Sequence, residues 1–421
     1  MIIGLSLKRL IQHKYFVLIC FVIFIVLRVS LIFSIPLQMG SDALWYLYRG
    51  ISIASGYGYS EDGNPTAYWP VGYPGFLGIA FWLFGKDPLT GQIANLLLAS
   101  GIFFLVLNLG RLIFSEDTAR ISVFLLAIYP NNIGYTATLL SELFFTFLIL
   151  LGLYIHIARK SIIWTATSGL IFGFSALTKP QFIFLPAILL FLEYIQKRKT
   201  EKILFSLKNA ATRGLIIYSM MAIVLIPWSV RNYIIFKDLV LISTNGGATL
   251  LTGNNPSASG GFTPDDPLIS KARFSVADQV ASDRRAKKLA IEWIKNNPVR
   301  FMELIPLKIW HLWHKDGEIE WEYQRGYSNY DKHKIAFRIV RVVNQLFYMI
   351  LIILMVRSIF VPARRRVIAY EPWSWFGYIF IIYISLISTV FSGQPRFHFP
   401  VMPWIIMYAS LFLTVKTDVN V

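Results

Sequence analysis

Charged residues are scarce in this chain of 421 residues: Asp, Glu, Lys and Arg together account for 15%, whereas hydrophobic residues account for 56%. About a quarter of the residues in a soluble domain are charged, so the composition excludes an ordinary soluble protein and indicates a polytopic membrane protein.

Cysteine is also nearly absent. Because Cys20 is the only one, no disulfide can form within the chain, and cysteine usage does not indicate a redox compartment.

Common catalytic signatures are missing as well. The sequence contains no Walker loop, no Rossmann glycine fingerprint, no Cys-x-x-Cys pair and no nucleophile elbow. Its histidines at positions 311, 314 and 333 lack the spacing and the glutamate of a zinc-protease helix, so we expect them in structural or surface positions. We find no internal repeat and no low-complexity tract.

Basic residues outnumber acidic ones, which gives a net charge of +17. Such an excess can indicate nucleic-acid binding, but here the densest basic clusters flank apolar segments, as they do in the cytoplasmic loops of membrane proteins. We therefore predict contacts with anionic lipid and no nucleic-acid partner. The clusters are Lys8, Arg9 and Lys14; Arg159 and Lys160; Lys197, Arg198, Lys199, Lys202, Lys208 and Arg213; Arg364, Arg365 and Arg366; and Lys416.

Long apolar segments recur along the chain. A spanning helix needs about 20 mostly apolar residues, and this length predicts about ten spans with both chain ends in the cytoplasm. The first apolar run has a basic start and no small-residue cleavage motif, so we expect an uncleaved signal anchor. The predicted spans lie near 15–37, 89–113, 119–137, 139–158, 162–179, 181–196, 213–235, 336–357, 373–392 and 397–415.

Two shorter apolar segments do not fit this pattern. Residues 43–54 are amphipathic and aromatic, and residues 70–85 are too short and too rich in Gly and Pro to span. We predict interfacial or re-entrant helices on the outer face for both. The sequence thus predicts an all-α polytopic membrane protein, divided into an N-terminal transmembrane catalytic module (1–236, with the first outer loop at 38–88), an extracytoplasmic loop domain (237–335) and a C-terminal transmembrane module (336–421).

The loop domain is predicted to begin with Gly- and Asn-rich turns. A charged helix is expected at about 275–296 and an aromatic helix at about 299–315.

Polar residues stand at the outer ends of the predicted spans. Such residues are costly at membrane depth and are functional candidates, and the predicted topology brings them to one face. They are Asp42, Glu142, Lys179, Arg231, Arg396 and His398.

Two of these candidates are acids. Asp42 follows the first span, and we interpret it as a general base or a metal ligand; the alternative is an ordinary acid flanking a helix. Glu142 starts an apolar helix, and we predict that it is a second catalytic residue, which lies near Asp42 and either binds a divalent cation with it or orients the acceptor; the alternative is an acid favoured there by the helix dipole alone. A divalent metal held by both carboxylates stays open at this point.

Two interpretations are open for the cationic candidates. Lys179 and Arg396 both stand beside a proline and are suited to clamp a phosphate, since Arg can form two parallel bonds and Lys acts as a point charge. The alternative is a cation that snorkels to the headgroups. Arg231 is more typical of an interfacial anchor. Arg28 lies deep in the first span, where we expect an internal partner that the sequence does not identify.

Taken in order, a series of short motifs resembles the glycosyltransferase-C superfamily, in its branch of bacterial protein O-mannosyltransferases and lipid A aminoarabinose transferases. The motifs are spread over most of the chain. They are Asp42 with Tyr46 and Gly56-Tyr57-Gly58-Tyr59; Pro70-Val71-Gly72-Tyr73-Pro74; Tyr129-Pro130 before Glu142; Gly169-Leu170-x-x-Gly173 before Leu177-Thr178-Lys179-Pro180; Pro227-Trp228 with Arg231-Asn232; Gly253-Asn254-Asn255-Pro256; Trp293-Ile294-x-x-Asn297-Pro298 before Lys308; and Pro395-Arg396-Phe397 with Pro400.

This resemblance implies a polyprenyl-phosphate-linked sugar donor, an extracytoplasmic acceptor and an active site on the outer face of the plasma (inner) membrane. It implies Asp42 as the catalytic acidic residue, and we add Tyr46 and Tyr73 to the expected substrate-binding residues, together with Lys179, Arg231, Arg396 and His398. The family often carries a second acid after that Asp, whereas Ala43 follows here, which weakens the transfer of a metal site.

The chemistry fits an inverting glycosyl transfer. A phosphate leaving group needs nearby positive charge rather than a general acid, and Lys179 and Arg396 can supply that charge. The acceptor hydroxyl needs a base, which Asp42 can be, and a single displacement through an oxocarbenium-like transition state inverts the anomeric centre. The alternatives are a transporter or flippase of lipid-linked sugars, whose usual repeats are missing, and a non-catalytic lipid-binding or assembly protein.

Overall fold

The computed structural model describes residues 8–199, 201–272, 274–317, 319–360 and 372–418, with no side chains described from 415 onward. The predicted basic cluster at 364–366 and the side chain of Lys416 lie outside this part. The helices, numbered from Phe16, are α1 Phe16–Ser34, α2 Ser41–Ala54, α3 Gly72–Phe84, α4 Pro88–Ile113, α5 Glu116–Ile128, α6 Pro130–Ala137, α7 Ser141–Ala158, α8 Ile162–Ala176, α9 Leu185–Lys197, α10 Ile203–Phe236, α11 Gly246–Gly253, α12 Pro267–Lys271, α13 Gln279–Asn296, α14 Pro298–Trp313, α15 Ile319–Gly326, α16 Lys334–Ile359, α17 Phe376–Val390 and α18 Met402–Asp418.

Seven helical segments of the described chain are long and apolar enough to cross a membrane. This confirms the predicted class of an all-α polytopic membrane protein. The segments are Phe16–Ser34, Pro88–Ile113, Ser141–Ala158, Ile203–Phe236, Asp331–Ile359, Pro372–Val390 and Pro395–Thr414.

The other three of the ten predicted spans are built from shorter helices. The segment predicted at 119–137 is divided into α5 and α6, because Tyr129 is extended and Pro130 starts a new helix and cannot continue the old one. Helix α8 has 15 residues and ends before Lys179, which is extended, as residues before proline prefer. Helix α9 has 13 residues.

The break between α5 and α6 explains the buried Arg28. The last carbonyls of a helix have no partner within it, and the Arg28 guanidinium donates to the carbonyls of Leu126 (3.3 Å) and Ala127 (3.2 Å) at the end of α5. It also donates to Asn132 Oδ1 at 2.6 Å. The expected internal partner is therefore a set of carbonyl oxygens rather than a carboxylate.

The first outer loop forms a compact unit. The two predicted outer helices are present as α2 and α3, and they approach closely where Gly50 faces Leu77 and Gly78 faces Ile53. A small hairpin not foreseen from the sequence joins them, with strands β1 (Ser60–Glu61) and β2 (Asn64–Pro65). Its turn residues, Asp62 and Gly63, both have positive φ, which is the geometry that an Asp-Gly pair favours in tight hairpins.

The segment between the membrane helices α10 and α16 is mostly helical. The charged and aromatic helices predicted at about 275–296 and 299–315 are α13 and α14. Pro298 follows the first helix and occupies the first turn of the second, where its missing N–H costs nothing. The division of the chain into three modules stays a prediction.

A buried lysine joins this segment to the membrane helices. The ammonium group of Lys308, in α14, donates to Asn254 Oδ1 at 2.7 Å and to the carbonyl of Thr389 at 3.1 Å, at the end of α17. A cation is favoured at this end of a helix. Gly393 lies directly against the Lys308 carbonyl, with no space for a Cβ atom. These contacts fix the path of the chain from α17 toward Arg396.

The predicted topology can be tested by cysteine labelling. In a Cys20→Ser background, Lys295→Cys on α13 is expected to react with an impermeant maleimide that is added to the outer side. Lys160→Cys is expected to react only after permeabilisation, from the cytoplasmic side, because basic loops are retained inside. Both positions are exposed. Labelling of Lys295→Cys solely from the cytoplasmic side would invert the topology.

Candidate active site

Asp42 lies in the first turn of α2, after an extended Gly40. An acid is favoured at this end of a helix because it faces unpaired backbone N–H groups. The Asp42 carboxylate accepts a short hydrogen bond from the Arg396 guanidinium, and both side chains remain partly exposed, at 22% and 28%. The pair is therefore open to a ligand.

Glu142 lies in the first turn of α7 and pairs with the second predicted phosphate-binding cation. Lys179 Nζ is 3.0 Å from Glu142 Oε1, and the glutamate side chain is 3% exposed. The other oxygen, Glu142 Oε2, is buried and accepts no hydrogen bond from any residue in the described part of the chain. This oxygen retains the capacity to accept a hydrogen bond from a ligand or a water molecule.

Tyr46 connects the two ion pairs. It follows Asp42 by one helical turn and shares a hydrogen bond with Ser141, the neighbour of Glu142. Burial raises the pKa of its hydroxyl, and the negative charges of Asp42 and Glu142 raise it further. Its ring packs edge-on against Tyr73. The structure thus brings the two predicted acids, the two predicted cations and Tyr46 to one place.

Tyr73 supports this group from behind. It is 1% exposed, and its hydroxyl donates to Asn95 Oδ1 at 3.1 Å. With no open surface, Tyr73 is placed to hold Tyr46 rather than to contact a ligand, so its predicted role in substrate binding is not supported by its position.

Arg231 supports the first outer loop. Its guanidinium donates to the carbonyls of Tyr59 and Thr66, each at 2.8 Å, on either side of the hairpin. It also lies over the Trp228 ring, 4.7 Å from the centroid. The structure does not bring Arg231 into contact with the two carboxylates, and these contacts indicate an anchor for the loop.

His398 is fully buried beneath the site. Its Nδ1 is 2.7 Å from the Leu312 carbonyl and its Nε2 is 3.2 Å from Asp316 Oδ1. The imidazole is stacked between Trp313 and Tyr348. His398 therefore holds the short 3-10 helix Pro395–Val401, which carries Arg396, and its position does not support the predicted contact with substrate.

Asp316 was missed by the sequence analysis. It is buried, accepts hydrogen bonds from Tyr129 (2.6 Å), Asn131 and Asn344 (3.2 Å), and pairs with His398. Its partners come from three distant parts of the chain, so no local pattern identifies it. The one available signal was an acid beside the Trp313-His314 end of an otherwise aromatic helix.

The predicted metal ligands are Asp42 and Glu142. The described residues contain no group of three or more His, Cys, Asp and Glu side chains arranged to hold an ion. Asp42 and Glu142 were considered as ligands because no neighbouring Arg was expected; instead, each carboxylate is paired with a cation. Metal binding by these two residues stays a prediction, and no step below depends on it.

Comparisons with known proteins identify the fold. No family model and no curated protein matches the sequence. Among solved structures, the chain is similar to the Archaeoglobus fulgidus oligosaccharyltransferase in the apo form (TM-score 0.57, 15% identity, 96% of this chain and 51% of that chain). The same enzyme, AglB, in complex with an inhibitory peptide and a dolichol-phosphate gives a TM-score of 0.55 at 16% identity, covering 96% and 51%.

A weaker similarity is to ArnT from Cupriavidus metallidurans bound to undecaprenyl phosphate (TM-score 0.43, 15% identity, 92% of this chain and 77% of that chain). The chain spans about half the length of the archaeal enzyme. At these identities the likeness establishes fold and not activity. The chain therefore shares its fold with the archaeal oligosaccharyltransferase, which is the kind of polytopic membrane fold that the motifs led us to expect.

Proposed function

We propose that this protein transfers a sugar from a polyprenyl-phosphate donor to a hydroxyl group of an extracytoplasmic acceptor. The observation that carries the proposal is the half-exposed Asp42–Arg396 pair beside the Glu142–Lys179 pair. It combines a carboxylate able to take a proton with two cations able to bind a phosphate. The fold shared with an oligosaccharyltransferase that was solved with dolichol-phosphate supports the same substrate class.

Arg396 exchanges partners when the donor binds. In the unliganded site its guanidinium is paired with Asp42, but its Nε is buried and donates to no atom of the residues described. A phosphate offers more acceptor oxygens than the Asp42 carboxylate and can accept two parallel hydrogen bonds from a guanidinium. Lys179 adds a second positive charge, so negative charge that grows on the phosphate as the sugar leaves is stabilised in the transition state.

This exchange prepares Asp42 for catalysis. Once Arg396 has turned to the phosphate, the Asp42 carboxylate is free to accept the proton of the acceptor hydroxyl. The hydroxyl oxygen forms a bond to the anomeric carbon as the bond from that carbon to the phosphate oxygen breaks. The products are the glycosylated acceptor, with inverted configuration, polyprenyl phosphate and a protonated Asp42.

Glu142 acts through its neighbours. One of its oxygens holds Lys179, and Tyr46 beside it links this pair to Asp42. Its second oxygen is buried and accepts no hydrogen bond from the described residues, so Glu142 is proposed to hold Lys179 and Tyr46 in place rather than to contact the acceptor. The acceptor can be a protein, a lipid or a glycan, and the proposed location is the plasma membrane with the site on its outer face.

Replacing Asp42 tests the base. We expect Asp42→Asn to lower sugar transfer by about 10²- to 10⁴-fold, since the amide cannot take the proton. Purified full-length protein is assayed for sugar transfer, and its thermal unfolding is measured alongside. Asp62→Asn, an exposed acid of the same outer loop, is the matched control. Turnover by Asp42→Asn equal to that of the control would remove Asp42 from the mechanism.

Replacing the cations tests the phosphate site. We expect Lys179→Ala and Arg396→Ala each to weaken binding of undecaprenyl phosphate by about 10- to 100-fold, because each removes a charged hydrogen-bond donor. Arg396→Lys is also expected to bind less tightly, since an ammonium group cannot form the two parallel bonds. Lys86→Ala changes an exposed cation of the same outer region and serves as the control. Wild-type affinity in both alanine variants would contradict the phosphate site.

A further inference from the structure

Four half-buried aromatic residues line the space beside Asp42. We call them the aromatic cluster: Trp45, Tyr46, Tyr68 and Trp69. Trp69 is its centre, with ring centroids 4.6 Å from Trp45, 5.4 Å from Tyr46 and 5.8 Å from Tyr68. Each of the four residues is partly exposed. The cluster therefore offers an apolar wall that a ligand can reach.

Helix geometry places this wall next to the proposed base, because Trp45 and Tyr46 follow Asp42 by three and four residues in α2 and therefore lie on the same helix face. Burial raises the pKa of Tyr68 to about 12, and the negative charges of Asp42, Asp283 and Glu61 add to the rise. Tyr46, at the other side of Trp69, also lies within the field of Asp42. Asp42 and the aromatic cluster thus border a common space.

A charged pair with unused hydrogen-bonding capacity stands behind this wall. Glu61 Oε1 accepts from the Trp45 indole N–H at 3.1 Å. Its other oxygen, Oε2, is 3.8 Å from Arg49 Nη1, which is too far for a hydrogen bond. Glu61 Oε2 and the Nε and Nη1 groups of Arg49 are all buried and form no hydrogen bond within the described ranges. Unsatisfied charged groups of this kind are rare in folded proteins.

The identity of Arg49 makes the arrangement specific. Arg49 is 8% exposed, and its guanidinium lies over the Trp45 ring, 5.4 Å from the centroid. An aromatic belt at the membrane interface requires no buried ion pair of this kind. Apolar rings combined with a few unsatisfied polar groups are instead typical of a small-molecule binding site.

We propose that the aromatic cluster, with Glu61 and Arg49, binds the sugar ring of the lipid-linked donor. A pyranose has an apolar C–H face that suits an aromatic ring, and its hydroxyl groups both donate and accept hydrogen bonds. One hydroxyl can therefore satisfy the Glu61 carboxylate and the Arg49 guanidinium together. The Glu61 side chain is 21% exposed, so a side-chain rotation brings its free oxygen to the ligand.

The donor, rather than the acceptor, is the occupant because of Asp42. Its carboxylate is bonded to Arg396, where the donor phosphate is proposed to bind, and it also borders the aromatic cluster. The sugar is attached directly to that phosphate, so its ring enters the next available space. This inference rests on the proposed function and identifies the part of the site that distinguishes a sugar-bearing lipid from the bare lipid phosphate.

The test compares two kinds of lipid on the full-length protein without acceptor. The probes are undecaprenyl phosphate and undecaprenyl phosphate that carries glucose, galactose, mannose or N-acetylglucosamine. Wild type is expected to bind at least one sugar-bearing lipid about tenfold more tightly than undecaprenyl phosphate. Trp69→Ala and Glu61→Gln are expected to lose this difference and to keep the affinity for undecaprenyl phosphate. Glu61→Gln retains an acceptor for Trp45, so it also controls for misfolding.

Tyr57→Ala is the matched control, because Tyr57 is an aromatic residue of the same loop that is 80% exposed; it is expected to bind both lipids as wild type does. If Trp69→Ala and Glu61→Gln keep the tenfold difference, or if wild type binds undecaprenyl phosphate but shows no preference for any sugar-bearing lipid, the sugar site is refuted and the phosphate site stands. If wild type binds none of the lipids, the proposed function fails as well.

Discussion

Charge compensation in a half-buried site is the constraint on which the rest of the structure depends. A carboxylate removed from water is costly unless a cation accompanies it. Asp42 and Glu142 each have one, and the partners of the Asp42–Arg396 pair are 354 positions apart in the chain. The same cations that neutralise the acids in the unliganded protein are positioned to bind a phosphate. Pairing therefore stabilises the empty site and also prepares it for an anionic substrate.

Three further contacts fix the segments that carry these charges. Arg231 holds both sides of the hairpin in the first outer loop. His398, bound to Asp316, fixes the 3-10 helix of Arg396 from below, and Lys308 fixes the chain that leads to it. His398 and Lys308 are buried and Arg231 is half-buried, and because their hydrogen bonds go to the protein, they position the charged groups without competing for the substrate. The mobile part of the mechanism is then confined to partly exposed side chains such as Arg396.

Sequence patterns indicated four charged residues that the structure brings together, but they did not indicate how these residues pair. Asp42, Glu142, Lys179 and Arg396 were identified because charges at the ends of apolar helices are costly, and this argument holds for any such residue. It could not show which of these side chains form the two ion pairs and which contact backbone carbonyls, so Arg231 and His398 were predicted together with the other four.

Most of the features that were not predicted depend on contacts between distant segments of the chain. Asp316 and the Arg49–Glu61 pair have no local pattern, and the pairing of Asp42 with Arg396 was not expected because the two residues lie at opposite ends of the chain. The hairpin at Asp62-Gly63 is different, since the Asp-Gly turn signal was present in the sequence. Most helix bounds were predicted to within a few residues. The exceptions are α10, which begins at Ile203 although its span was predicted from 213, and the spans that Pro130 and Pro180 shortened.

The central claim is that Arg396 pairs with Asp42 in the unliganded site and with the donor phosphate once the donor has bound. It is tested most directly by the affinity of purified Asp42→Asn protein for undecaprenyl phosphate. The neutral side chain no longer competes for the guanidinium, so this variant is predicted to bind undecaprenyl phosphate more tightly than wild type, and the gain is predicted to vanish when Arg396→Ala is added. Weaker or unchanged binding by Asp42→Asn would contradict the exchange.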